Sequence, residues 1–201
     1  MNLESAGWQL CLDFANTLGG RYGATQIDRL ASYGDLVAWS LHAAILTAAE
    51  AERLLRGADA RPAEAAAVLE EARALREAIY DVFSAITLGR EVPTGALDAL
   101  NSHLSTALAK SRVVPSENGF TLGWAEDDAS LDPMLWPLAR SAADLLTAGD
   151  LDRVSECAAE DCAWLFIDTS RNHSRRWCDM QDCGNREKAR RFYSRKRQAE
   201  G

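Results

Sequence analysis

Cys157-Ala158-Ala159-Glu160-Asp161-Cys162 and, after fifteen further residues, Cys178-Asp179-Met180-Gln181-Asp182-Cys183 are the stretches on which the reading of this sequence turns. Two cysteine pairs at short and equal spacing are hard to explain by packing alone. Thiolates two to four residues apart form a knuckle that presents both sulfurs to one metal ion. Two knuckles supply four soft ligands and a closed tetrahedral shell, the set that suits one structural Zn2+ ion. Disulfides and unliganded buried thiols are the competing readings; disulfides belong to oxidising compartments. Catalytic zinc keeps a coordination position open. Four cysteines therefore argue against it, and exchanging one of them for His173 is less economical.

The residues around the pairs read as a small module. Trp164-Leu165-Phe166-Ile167-Asp168 is aromatic and β-branched, hence strand-like. Asn172-His173-Ser174 reads as a turn, and Arg175-Arg176-Trp177 as the strand returning to Cys178. A helix over residues 184–198 follows. The order knuckle, hairpin, knuckle, helix is treble-clef-like, with Trp164, Phe166 and Trp177 packed around the metal. So small a module has too little apolar core to fold alone, and metal binding would supply much of its folding free energy.

Charge separates this module from the rest. The 201-residue chain has a net charge of −8, yet residues 171–197 hold ten basic and three acidic side chains. An acidic body thus carries a basic C-terminal segment, which points either to a polyanionic partner or to docking of the basic part on the acidic one. On a helical wheel Arg186, Lys188, Arg190, Arg191, Arg195 and Arg197 share one broad arc, with Lys196 apart from them. Ala189, Phe192 and Tyr193 make an apolar side. Arginine bonds phosphate or guanine bidentately, and Arg171, Arg175 and Arg176 extend the basic set across the hairpin. These nine arc and hairpin residues are the candidate nucleic-acid contacts.

The first 150 residues read mostly as helix. Trp8, Cys11, Leu12, Ala15 and Leu18 repeat as one buried face, stopped by Gly19-Gly20, with Cys11 a small buried hydrophobe. Ser32 and Asp35 form a capping-box pattern that starts a helix through Leu46. Thr47 caps a helix over residues 48–58, and Pro62 opens a long one to Leu88. Thr94 caps another, with Leu97, Leu100, Leu104 and Leu108 as its inward stripe. Val113-Val114 and Phe120-Thr121-Leu122 flank a Pro-Ser-Glu-Asn-Gly turn and read as a β-hairpin. Asp132-Pro133 opens a final helix that ends at Gly149. The fold class is therefore mainly α: a helical domain over residues 1–150 with one short hairpin, then a zinc finger over 151–201. Asp13, Asn16 and Thr17 are polar residues in a segment otherwise built for burial. They read either as helix-end capping or, with Arg21, as part of a ligand pocket.

Trp177-Cys178-Asp179-Met180-Gln181-Asp182-Cys183-Gly184-Asn185-Arg186, continuing through Lys188-Ala189-Arg190, resembles the signature of the CGNR zinc-finger family. The four core letters stand at Cys183, Gly184, Asn185 and Arg186. Leu12-Asp13-Phe14-Ala15-Asn16-Thr17-Leu18, with Asp28, Leu30, Leu36 and Trp39, is similar to the ABATE domain that precedes this finger in bacterial proteins. The resemblance implies zinc on the four cysteines and a role as a stress-responsive transcriptional regulator. Glycine at position 184 also suits a close backbone approach beside the metal.

Three functional classes compete. The first is a zinc-dependent DNA-binding regulator, with the helical domain dimerising or sensing an unknown small-molecule effector. The second is a zinc-stabilised protein-interaction module without nucleic-acid binding. An enzyme is the weakest: His42, His103 and His173 are scattered, and no phosphate loop, GxSxG elbow or His-Glu-x-x-His is present. The N-terminus lacks a basic secretory start, and no run of roughly 20 strongly apolar residues would span a membrane. The expectation is a cytoplasmic protein without a membrane partner.

Overall fold

The computed structural model describes residues 3–24, 26–116, 119–125 and 127–199, and among these the side chains outside 3–8, 148 and 194–199. The expected inward position of Trp8 and the expected DNA contacts of Arg195 and Arg197 fall outside the described side chains. Helix α1 (Leu3–Ala15) is followed by a minimal antiparallel pair, β1 (Leu18–Gly19) with β2 (Ile27–Asp28). Leu18 therefore lies in a strand, and helix α1 stops three residues earlier than its apolar repeat suggests. Asn16 stands at that end, and its side chain is engaged far along the chain, as described below.

Helix α2 (Tyr33–His42) starts at the expected capping box, in which Ser32 accepts from the Asp35 N–H and Asp35 accepts from Ser32. It ends at His42, short of Leu46. Ala44 takes a left-handed backbone conformation, and the Ile45 and Leu46 amides both donate back to the Ser40 carbonyl. The early stop folds Leu46 into the core. Thr47 forms a second capping box with Glu50 and opens α3 (Ala48–Ala60). Pro62 occupies the first turn of α4 (Pro62–Thr87), whose Val68, Leu69, Ala72, Leu75, Ile79, Val82 and Phe83 are all buried.

In α5 (Thr94–Lys110) the predicted leucine stripe is only partly inward. Leu100 is buried, but Leu97 and Leu108 are exposed, and Ala107 takes the second buried position. Strands β3 (Ser111–Ser116) and β4 (Gly119–Trp124) form the expected hairpin, with Val113 opposite Leu122 and Pro115 opposite Phe120. Helix α6 (Leu135–Ala148) packs against α1 and α5 and closes the core with Leu138, Ala142 and Leu145.

The hairpin of the cysteine module is built differently from the sequence reading. Its strands are β5 (Val154–Glu156) and β6 (Leu165–Ile167). The partner of β6 thus lies before the first knuckle, and Cys157–Cys162 forms the hairpin tip. Arg175–Trp177 is irregular chain. Val154 and Leu165 on the hairpin, with Ala163, belong to the same buried cluster as Leu12, Ile79 and Leu138 of the helical body. A wide turn over Met180–Gly184 then leads into α7 (Asn185–Ala199). The apolar side predicted for α7 is not covered: Phe192 and Tyr193 are 65% and 62% exposed, and Ala189 is exposed as well. The side of α7 that turns inward carries Glu187 instead, one turn after the buried Cys183.

Candidate metal centre and its basic helix

The two knuckles bring the Sγ atoms of Cys157, Cys162, Cys178 and Cys183 within 4.8 Å of one another. Cys178 lies 3.6 Å from Cys162 and 3.6 Å from Cys183. A tetrahedron of about 2.3 Å zinc–sulfur bonds has edges of about 3.8 Å, so the spacing fits the ion. Three of the four residues are buried and Cys178 is half-buried. Contacts from Cys162 and Cys178 pull the Cys157 thiol down; contact with Cys157 pushes Cys162 and Cys178 up, and Cys162 pushes Cys178 up further. Four thiols in this volume do not all ionise without a cation between them, which is what a zinc ion supplies. Phe166 and Ala159 complete the buried cluster, and Trp164 and Trp177 pack against it.

Local geometry explains why these residues build the knuckles. The Cys157 N–H donates to the Trp164 carbonyl at 2.8 Å and closes the hairpin tip. Ala163 adopts a left-handed φ of 60° that turns the chain from Cys162 into β6. At the second knuckle, Asp179 accepts from the amides of Gln181 and Asp182. The Gly184 N–H donates to the Asp179 carbonyl. A Cβ on Gly184 would come within 3.0 Å of the Met180 sulfur, so the close approach at this glycine is made by the turn itself.

Several of the candidate cations are engaged inside the module. Arg186 donates from Nη2 to Cys183 Sγ at 3.3 Å and to Asp161 at 3.0 Å, and from Nη1 to Asp182 at 3.1 Å. It therefore orients a thiolate and ties the second knuckle to the first, the kind of outer contact that tunes metal sites. Arg190 pairs with Glu160 at 2.8 Å, with Glu187 at 2.6 Å and with Asp161 at 3.4 Å. Arg175 lies over the Phe166 ring and donates from Nε to the Trp177 carbonyl, and from Nη2 to the Cys178 carbonyl. Arg171, Arg176, Lys188 and Arg191 are exposed and make no ion pair among the described residues.

The remaining candidates lie where the body meets the finger. Asn16 donates from Nδ2 to the Leu165 carbonyl at 2.8 Å and accepts from the Leu165 N–H at 2.9 Å. One side-chain amide thus satisfies both backbone groups of a buried strand residue 149 positions away. Asp13, Asn16 and Thr17 line a groove of about 760 Å³ between α1, α2 and β6, together with Trp39, His42 and Trp164. Arg21 is not part of it: its guanidinium pairs with Glu77 at 2.5 Å and lies 3.7 Å over the Tyr80 ring.

Two features escaped sequence reasoning. Arg76, almost fully buried on α4, binds both carboxylate oxygens of Asp28 at 2.6 and 2.9 Å. Partial burial opposes the ionisation of Asp28, but hydrogen bonds and charge from Arg76 and the Leu30 amide outweigh it. They hold the carboxyl below its ordinary range. Asp168 is buried and accepts from the amides of Ser170 and Arg175, so it shapes the loop between β6 and the second knuckle. An Asp-Thr-Ser stretch after a strand is a turn signal that could have exposed the second feature; nothing local marks the first.

The fold and the site together define a helical body with a tetrathiolate zinc finger stitched to its core. Comparison with protein families gives the class a family. The model of ABATE, described as "Putative stress-induced transcription regulator", matches residues 9–149. That of the CGNR zinc finger matches residues 153–196. The chain belongs to the ABATE family and carries a CGNR zinc finger with one structural zinc ion. A search of curated proteins finds no match. No helix among the described residues is long and apolar enough to cross a membrane.

Proposed function

We propose that this chain is a zinc-dependent, DNA-binding transcriptional regulator of the cytoplasm, with the finger on DNA and the helical body pairing two copies or sensing a ligand. The division of labour among the finger's cations carries this reading. Arg175, Arg186 and Arg190 hold the module together, whereas Arg171, Arg176, Lys188 and Arg191 stand exposed with no ion pair among the described residues, Arg176 lying over the Trp177 ring at 5.6 Å. Exposed cations whose charge is not paired within the fold are available to phosphates. Arg195 and Arg197 extend the same helix.

Cys157, Cys162, Cys178 and Cys183 would hold the zinc, which when bound supplies the charge that lets four thiolates share one small volume. The chain's own residues do the rest. Arg186 fixes the Cys183 thiolate and clips the two knuckles, Arg190 seats α7 on Glu160, and the outward side chains are thereby aimed. A ligand in the groove beside Asp13, Asn16 and Thr17 would touch body and finger at once, a suitable place for an effector.

Selection of genomic DNA fragments by the zinc-loaded full chain, beside Cys178→Ser at the same salt, tests the proposal. Enrichment of a shared sequence by the native chain alone is the expected result; equal enrichment by both would refute the zinc dependence. A second reading, a protein-interaction module, draws on the exposed Phe192–Tyr193 pair, whose rings stand edge-to-face at 5.6 Å. Exposed aromatics of this kind are enriched at protein interfaces. No enrichment by either protein would favour it.

A further inference from the structure

We infer that the groove between α1, α2 and β6 takes a small, flat aromatic compound bearing one anionic group, a carboxylate or a phosphate, held by Arg29 and Arg175. The inference names the ligand class for the effector groove proposed above and rests on that reading for its purpose. Its test reads ligand binding without DNA, so the two fail separately.

Size and lining point to a small molecule. The groove holds about 760 Å³ and is walled by the rings of Trp39, Trp164 and Phe166. Pockets of this volume, mostly apolar with a few placed polar groups, are the usual form of ligand sites. Ring walls favour a flat aromatic body, which stacks on them or meets them edge-on.

The sign of the ligand follows from the two guanidiniums. Arg29 lies 5.3 Å over the Trp164 ring and Arg175 lies 4.8 Å over the Phe166 ring. Trp164 and Phe166 flank Leu165, and residues two apart in extended chain project from one face about 7 Å apart. The two cations are therefore carried side by side along one wall of the groove. Backbone carbonyls hold both in place. Arg29 donates to the Asn16 carbonyl, and Arg175 to the carbonyls of Trp177 and Cys178. Neither makes an ion pair with a carboxylate among the described residues. Arg21, Arg61, Arg73 and Arg76 of the same acidic body are each paired with one. Two positioned guanidiniums without a counter-charge, above aromatic rings, match an anion attached to a ring system. Asp13 lies one helical turn from Asn16 along α1 and lines the same groove. Its carboxylate turns the anionic end of a ligand toward the arginines. A ligand so placed reaches the end of α1 through Arg29 and the second knuckle through Arg175.

Isothermal titration calorimetry of the zinc-loaded full chain tests the inference with three probes: naphthylacetate, naphthyl phosphate and the neutral naphthylacetamide. Saturable binding of at least one anion, roughly tenfold or more tighter than the amide, is expected, as loss of a charge-assisted contact implies. The stronger of the two anions tells carboxylate from phosphate. Arg29→Glu should weaken that anion by a similar factor and leave the amide unchanged, with helical circular dichroism and zinc content intact. Arg112→Glu, at an exposed arginine on β3, should bind as the native chain does. No saturable binding of either anion, an amide that binds as tightly, unchanged affinity in Arg29→Glu, or equal weakening by Arg112→Glu would each overturn the assignment.

Discussion

In the helical body, Phe14, Phe83, Met134 and Leu138 are buried in one continuous apolar core; in the finger, the buried cluster is Cys157, Cys162 and Cys183 with only Ala159 and Phe166. The body is held by surface removed from water, and the finger by a metal and by arginines that bridge its knuckles. The boundary between them is not a linker. Hairpin β5–β6 contributes Val154 and Leu165 to the body's core while its tip carries the first knuckle. The finger is thus half body and half metal site, and its outer half, α7, depends on the second part.

Removing zinc with a chelator should break the comparison most completely. Structural zinc contributes about 10–16 kcal/mol to small zinc modules, so both knuckles and α7 should lose order while the helices of the body persist. Limited trypsin digestion, cutting after Arg186–Arg191 only in the chelated protein, would show it. Asn16→Ala comes next, because it leaves the Leu165 N–H and carbonyl buried without partners. At about 1–3 kcal/mol for each unsatisfied buried group, a loss of about 3 kcal/mol is expected in denaturant unfolding, with the finger releasing before the body.

Asp28→Asn should be milder, about 2 kcal/mol. That is below the range for breaking a fully buried pair, since Glu77 still faces Arg76. The pH dependence has a defined sign. The folded Asp28 carboxyl is held below its ordinary range, so its contribution is complete above the ordinary carboxylate value and is lost as pH falls through the lowered folded one. The stability difference between native chain and variant should therefore shrink on acidification. Least of all, Leu97→Gln and Leu108→Gln on the exposed side of α5 should change stability within about 0.5 kcal/mol.

What was legible in the sequence was local. The capping signals at Ser32 and Thr47, the proline at position 62 and the cysteine spacing each act through neighbours a few residues away, and each is found where expected. What was not legible depends on distant partners. Helix α1 ends where Asn16 turns to Leu165, and β6 finds its mate before the first knuckle. The α5 stripe stays outside because α4 and α6 meet it through Leu100 and Ala107. On α7 the wheel sets Phe192 and Tyr193 apart as an apolar side, but that side is exposed and Glu187, within the basic arc, is buried, because the knuckle acids Glu160 and Asp161 draw Arg186 and Arg190 toward the module.

On the proposed function, zinc orders a finger whose knuckle-bridging arginines hold the module and whose exposed cations hold DNA. Fluorescence anisotropy of a fragment recovered from the genomic selection, titrated across salt with the zinc-loaded full chain, tests it most directly. Each phosphate contact contributes about 0.9 to the slope of log affinity against log salt. The account predicts that Arg176→Ala and Arg191→Ala each flatten the slope by about that amount with zinc content intact, whereas Arg186→Ala weakens zinc retention first. Slopes unchanged in both outward variants, or full affinity after chelation, would contradict it.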